Sequence, residues 1–157
     1  MADKTNALRL VQQAKIPCRE AFYDYDEKDL SGIHAAEAVG MPPEQVFKTL
    51  VARGDRTGIN VFCIPVCCEL DLKKAAKAAG DKKIELVAVK ELLGLTGYIR
   101  GGCSPVAMKK KYPTFIDETC ILWEEIAVSA GARGHQMILP PDALVNLIDA
   151  EIMDIIQ

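Results

Sequence analysis

At 157 residues, 50% apolar and 26% charged, the sequence has the size and composition of one globular domain with a substantial core, taken here as 1–157. No apolar run approaches the roughly 20 residues of a membrane span, and Met-Ala-Asp-Lys-Thr-Asn at the N-terminus holds no hydrophobic signal core, so no membrane association and a cytoplasmic location are expected. A formal charge of −3 is the wrong sign for gripping nucleic acid by bulk electrostatics, although lysines cluster at Lys73, Lys74 and Lys77, at Lys82 and Lys83, and at Lys109, Lys110 and Lys111.

In chain order, Thr5 or Asp3 caps a first helix whose stripe is Ala7, Leu8, Val11 and Ala14, stopped by Pro17. Cys18–Tyr25 reads as a strand. Ser31 caps a helix over Ile33–Val39, closed by Gly40. Val46–Ala52 and Ile59–Val66 form a hairpin across the turn Arg53–Gly58. Asp71 caps a helix over Leu72–Ala79 that ends at Gly80, with Leu72, Ala75, Ala76 and Ala79 inward. A strand at Ile84–Val87 precedes a short helix around Lys90–Leu95. Tyr98–Ile99, Thr114–Asp117, Thr119–Leu122 and Glu125–Ser129 are strand candidates, Ala130–Gly134 a turn, and His135–Leu139 a returning strand. Pro141 and Asp142 open a last amphipathic helix carrying Leu144, Val145, Leu147 and Ile148. Strands outnumber helices and are linked by hairpins, which predicts an α+β single domain with a mixed, curled β-sheet and flanking helices.

No phosphate-binding glycine loop, nucleophile elbow or His-Glu-x-x-His motif is present. The six cysteines at 18, 63, 67, 68, 103 and 120 lack paired-ligand spacing, so no metal is expected, and free thiols fit better than disulfides. His34 and His135 have no nucleophile beside them in sequence and read as structural. Two features stand out. Lys48 interrupts an apolar strand, which fits either a snorkelling surface lysine or an ammonium at a pocket rim. The segment Gly101-Gly102-Cys103-Ser104-Pro105 joins small residues to a proline, which fits either a plain turn or a seat of backbone N–H groups for an anion or a developing oxyanion. Within it, Cys103 is a candidate nucleophile without an evident base.

Five blocks then align in order: Phe47-Lys48-Thr49-Leu50-Val51, Leu70-Asp71-Leu72-Lys73-Lys74, Lys82-Lys83-Ile84-Glu85, Thr96-Gly97-Tyr98-Ile99 with Gly101-Gly102-x-Ser104-Pro105, and Val128-Ser129-x-Gly131-x-Arg133-Gly134. Together they resemble the YbaK/EbsC family, free-standing relatives of the editing domain inserted in bacterial prolyl-tRNA synthetases, and within it the Cys-tRNA(Pro) deacylases. The resemblance implies a trans-editing hydrolase or lyase that clears a wrongly esterified amino acid, typically cysteine, from proline tRNA, with no cofactor. It places the essential lysine on Lys48, the Gly-x-x-x-Pro loop on Gly101 and Pro105, the pocket serine on Ser129 and the pocket tyrosine on Tyr23, with Tyr25 as the other register. Catalytic roles fall to Lys48 and Gly101, and substrate contacts to Tyr23, Gly102, Cys103, Ser104, Pro105 and Ser129.

The family's cysteine substrate is understood to use its own thiol against the ester, which would dispense with an enzyme base. Prolyl-tRNA synthetase is the implied partner, supplying tRNA selectivity that the acidic chain lacks. Ala107 stands where relatives carry a glycine, so a left-handed backbone there would be strained. The competing readings are a non-catalytic tRNA- or synthetase-binding module, a deacylase of the same family with different amino-acid specificity, and a Cys103-dependent hydrolase.

Overall fold

The computed structural model describes residues 4–157, so Asp3 lies outside it. Thr5 Oγ1 accepts the Leu8 N–H at 3.2 Å and starts α1 (Asn6–Gln13), which buries Ala7, Leu8 and Val11. The helix ends before Ala14, which is exposed, because Lys15 turns to φ 59. After β1 (Arg19–Phe22), Ser31 accepts the His34 N–H and caps α2 (Gly32–Val39), which Gly40 closes at φ 73. The hairpin is β2 (Phe47–Gly54) with β3 (Gly58–Pro65), and α3 (Leu72–Ala79) is capped by Asp71 and closed by Gly80. Leu72 stays largely exposed, and α3 packs through Ala75 and Ala76. Short β4 (Ile84–Leu86) leads through a 3-10 turn at Val89–Glu91 into α4 (Leu92–Thr96).

The second half holds β5 (Thr114–Asp117), β6 (Ile126–Ala132), β7 (His135–Leu139), α5 (Pro141–Ile148) and β8 (Glu151–Met153). Thr119–Leu122 is not a strand but part of a 3-10 helix, because Asp117 Oδ2 takes both the N–H (3.1 Å) and the hydroxyl (2.7 Å) of Thr119 and turns the chain. Tyr98–Ile99 is not a strand either. Gly97 ends α4 at φ 84, and the Tyr98 N–H is held by Thr96 Oγ1 at 3.0 Å. The expected turn at Ala130–Gly134 shrinks to Arg133–Gly134, since β6 runs on through a bulge between Ser129 and Ala132.

The architecture is α+β, with the strands split into two sheets. Five strands run β4-β2-β3-β5-β8, mixed in direction, and three run β1-β7-β6, all antiparallel. A parallel bridge between Val46 and Ala127 stitches them together. One core lies between the three-stranded sheet, α1 and α5, around Leu8, Met137, Leu139 and Leu144. A second lies between α3 and the five-stranded sheet, around Phe62, Ile64 and Ala75. Each large aliphatic side chain fully buried here contributes on the order of 2 kcal/mol. No helix among the described residues is long and apolar enough to cross a membrane.

Candidate active site

A cavity of about 540 Å³ opens where the sheet stops pairing. β4 covers β2 only at Ala52–Gly54 and the bridge to β6 lies at Val46, so the Lys48–Leu50 stretch has β3 on one side and no strand among the described residues on the other. The Val66 N–H bonds to Val46 O at 2.8 Å, so Val46, Lys48 and Leu50 are the hydrogen-bonded partners of β3, and Thr49 turns its N–H and C=O the other way, into the gap. The Val87 N–H takes Val51 O at 3.0 Å, which marks where that gap closes. Such an edge is a row of unused donors and acceptors. Lys48 lies half-buried in this stretch, lines the cavity and makes no ion pair among the described residues.

The glycine loop forms the facing wall by alternation. Arg100, Gly101 and Cys103 line the cavity, whereas Gly102, Ser104 and Pro105 turn into the protein. Gly101 needs its φ of 86, and a Cβ there would press on Leu30. A Cβ on Gly102 would lie 3.0 Å from Arg133 N and 3.1 Å from Ala132 C, so this glycine lets the loop touch the β6–β7 backbone. The Gly102 N–H is committed to Ile99 O at 3.0 Å, while the N–H groups of Gly101 and Cys103 have no acceptor among the described residues. Fully buried Ser104 accepts the Val106 N–H at 3.2 Å, a loop-bracing bond rather than a pocket contact. Lys109, Lys110 and Lys111 stay away from the cavity, and Lys111 pairs with Asp149.

Ala107 does adopt the left-handed conformation, at φ 60. It is held there by the Tyr98 hydroxyl, which donates to Val106 O, and by the Lys109 N–H on Thr96 O at 2.9 Å. A non-glycine residue in this region is strained by about 1–2 kcal/mol. Ala107→Gly is therefore expected to stabilise the fold by about 0.5–1.5 kcal/mol, less than the full strain because glycine loosens the unfolded chain. Urea denaturation measures it, and an unchanged midpoint would show that the strain is relieved locally.

The remaining wall comes from the three-stranded sheet. Ser129 and Gln136 are cross-strand partners, and both reach the cavity. Ser129 Oγ accepts the Gly131 N–H at 3.1 Å, which leaves its own proton free to donate. Gln136 is 6% exposed, and its Oε1 has no hydrogen-bond partner, so a donor brought by a ligand would relieve a buried orphan acceptor. Tyr23 follows β1, its N–H on Gly134 O at 2.9 Å, and lines the cavity; Tyr25 does not. The cavity thus gathers Lys48, Gly101, Tyr23, Cys103 and Ser129, and leaves out Gly102, Ser104 and Pro105. Thr49, Arg100 and Gln136 join it although the sequence assigned none of them to the site; Thr49 lies within the Phe47–Val51 block, and the other two lie in no block.

Among the described residues, no histidine or carboxylate lines this space. His135 is buried on Glu20, Nε2 to Oε1 2.9 Å, and stacks on Phe22, while His34 faces Asp29. Burial pushes the Cys103 thiol up to about 11, so it is protonated at neutral pH and poorly suited as a nucleophile. Cys103→Ala is expected to change kcat/KM by no more than about tenfold, since loss of a true nucleophile costs several orders of magnitude. A collapse of that size would restore the Cys103-dependent reading.

The sequence profile described as an aminoacyl-tRNA editing domain matches residues 30–147. A protein of Enterococcus faecalis provisionally named Cys-tRNA(Pro)/Cys-tRNA(Cys) deacylase EbsC is 47% identical over 152 residues, covering 97% of this chain and 93% of the relative. A proline–tRNA ligase of Shouchella clausii is 29% identical over 104 residues, 66% of this chain and 18% of that protein. Among solved structures, a provisionally assigned trans-editing enzyme for prolyl tRNA synthetase superposes with TM-score 0.80 at 25% identity, covering 99% of both chains. The hypothetical protein APE2540 superposes with TM-score 0.85 at 21% identity, covering 95% of this chain and 97% of that one, a likeness of fold alone.

Proposed function

The chain belongs to the aminoacyl-tRNA editing domain family, and from that premise we propose that it acts as a single 1–157 deacylase unit clearing cysteine wrongly esterified to proline tRNA. The observation that carries this reading is Lys48. An unpaired ammonium held at an unpaired strand edge, opposite two free backbone N–H groups, suits an ester flanked by a phosphate-bearing nucleotide. The cavity volume of about 540 Å³ is in the range of small-ligand sites and admits an aminoacyl-adenosine.

In this reading the N–H groups of Gly101 and Cys103 hold the ester carbonyl as it gains negative charge, and Lys48 adds its field. Gln136 Oε1 and Thr49 C=O accept from the substrate's α-ammonium, and Tyr23 and Ser129 close the sides. The substrate's thiol supplies the nucleophile. The thiol gives its proton to solvent, its sulfur bonds to the carbonyl carbon, the bond from that carbon to the ribose oxygen breaks, and the released ribose oxygen takes a proton back from solvent. The product is a small-ring thiolactone that water opens to cysteine. An aminoacyl ester is already activated, so positioning and charge stabilisation suffice without an enzyme base.

The net charge of −3 gives little grip on tRNA, so selectivity for proline tRNA comes from prolyl-tRNA synthetase in a shared complex, in the cytoplasm where charged tRNA is used. Release of cysteine from Cys-tRNA(Pro) by the purified protein is the direct test. No release, with or without the synthetase, ends the reading.

A further inference from the structure

A second cavity, of about 630 Å³, adjoins the first and shares Lys48, Leu50 and Leu86 with it. Its far wall is the entry to α3, including Lys73, Asp71 and Glu69. The charges are not equivalent. Lys74 is spent on Asp154 Oδ1 at 3.0 Å and on Ile156 O at 2.8 Å. Asp71 Oδ1 is occupied by the N–H groups of Lys73 and Lys74, each at 3.0 Å. That leaves Lys73, like Lys48, exposed to the cavity with no ion pair among the described residues, and Glu69 as the exposed carboxylate.

We propose that this second cavity is the exit path of the tRNA 3′ strand: the phosphate preceding the terminal adenosine lies between Lys48 and Lys73, and Glu69 weakens that hold. The inference rests on the deacylase reading and deepens it. A terminal aminoacyl-adenosine seated in the first cavity stays covalently joined to the rest of the strand, which must leave beside the ester. The adjoining cavity meets the first at Lys48, and with Lys73 on its far wall it offers two ammonium groups to a polyanion. One such phosphate contact on an acidic protein gives modest affinity, which fits a chain that borrows its tRNA selectivity.

The test compares Cys-tRNA(Pro) with cysteinyl-adenosine, which carries the ester but no preceding phosphate. Lys73→Ala is expected to raise KM for Cys-tRNA(Pro) about three- to tenfold with kcat within about twofold, and to leave kcat/KM for cysteinyl-adenosine unchanged. The slope of log KM against log salt should fall by about 0.7, the share of one single-strand phosphate. Glu69→Gln should lower KM for the tRNA and not for the nucleoside. An unaltered KM on tRNA, or an equal loss on both substrates, would overturn the exit path. If the wild-type protein cleaves neither ester, the deacylase reading itself fails, and this is seen before any variant is made.

Discussion

Lys48→Ala is expected to lower kcat/KM for Cys-tRNA(Pro) by about 10²–10³ while moving Tm by no more than about 2 °C. The large effect follows from position. Lys48 lines both cavities, so in the proposed reading its charge would act on the ester and on the adjoining phosphate at once. The small stability effect follows from the same surroundings. With no ion pair among the described residues, removing the ammonium strands no buried carboxylate, and only the packing of the aliphatic stem is lost. Lys48→Met separates the two contributions, because it keeps the stem and deletes the charge. It should be as inactive as alanine and as stable as the native protein. Substantial activity in the methionine variant would assign Lys48 to packing and remove it from the chemistry.

Lys48 stood out in the sequence because a charged residue inside a run of β-formers violates the strand's own pattern, but that pattern suits a snorkelling lysine as well, and it was the family resemblance that pointed to a pocket. The capped helices were legible for a similar local reason. Ser31 with Gly40 and Asp71 with Gly80 bracket α2 and α3, and each cap satisfies backbone groups within three residues of itself. The rest depends on contacts distant in sequence. β8 spans three residues and exists through parallel pairing with β5, of which Glu151–Met153 gives no local sign. Thr49, Arg100 and Gln136 enter the site for topological reasons. β4 is too short to cover Thr49, Gln136 is opposed to Ser129 by a register that a bulge then interrupts, and Arg100 is carried in by the turn beside Gly101. The loop was foreseen as a unit, yet its residues divide. Gly101 and Cys103 face the cavity, while Ser104 braces the loop from inside, a distinction set by backbone alternation that composition cannot express.

Seryl and alanyl esters of the same tRNA are expected to turn over at least about 10² more slowly than the cysteinyl ester. Among the described residues no histidine or carboxylate lines the cavity, and Cys103 is held as a thiol, so these residues offer no group suited to activating water at neutral pH. The nucleophile must then come with the substrate. A cysteine thiol is already a few per cent ionised at neutral pH, whereas a serine hydroxyl is not measurably so and alanine has nothing to offer. The side chains differ little in size, so binding alone would separate them by much less than the expected rate ratio. Thiol attack also fixes a pH signature. Below the substrate thiol's pKa of about 8.5 the thiolate fraction grows tenfold per unit, so kcat for the cysteinyl ester should rise with pH and level off near that value. Comparable rates on Cys-tRNA and Ser-tRNA, or a flat profile over the roughly two units from about pH 6 to 8 measured by single-turnover release, would mean that a positioned water attacks instead. In that case the oxyanion seat at Gly101 and Cys103 would stand, but selectivity would have to reside in the walls formed by Tyr23, Ser129 and Gln136.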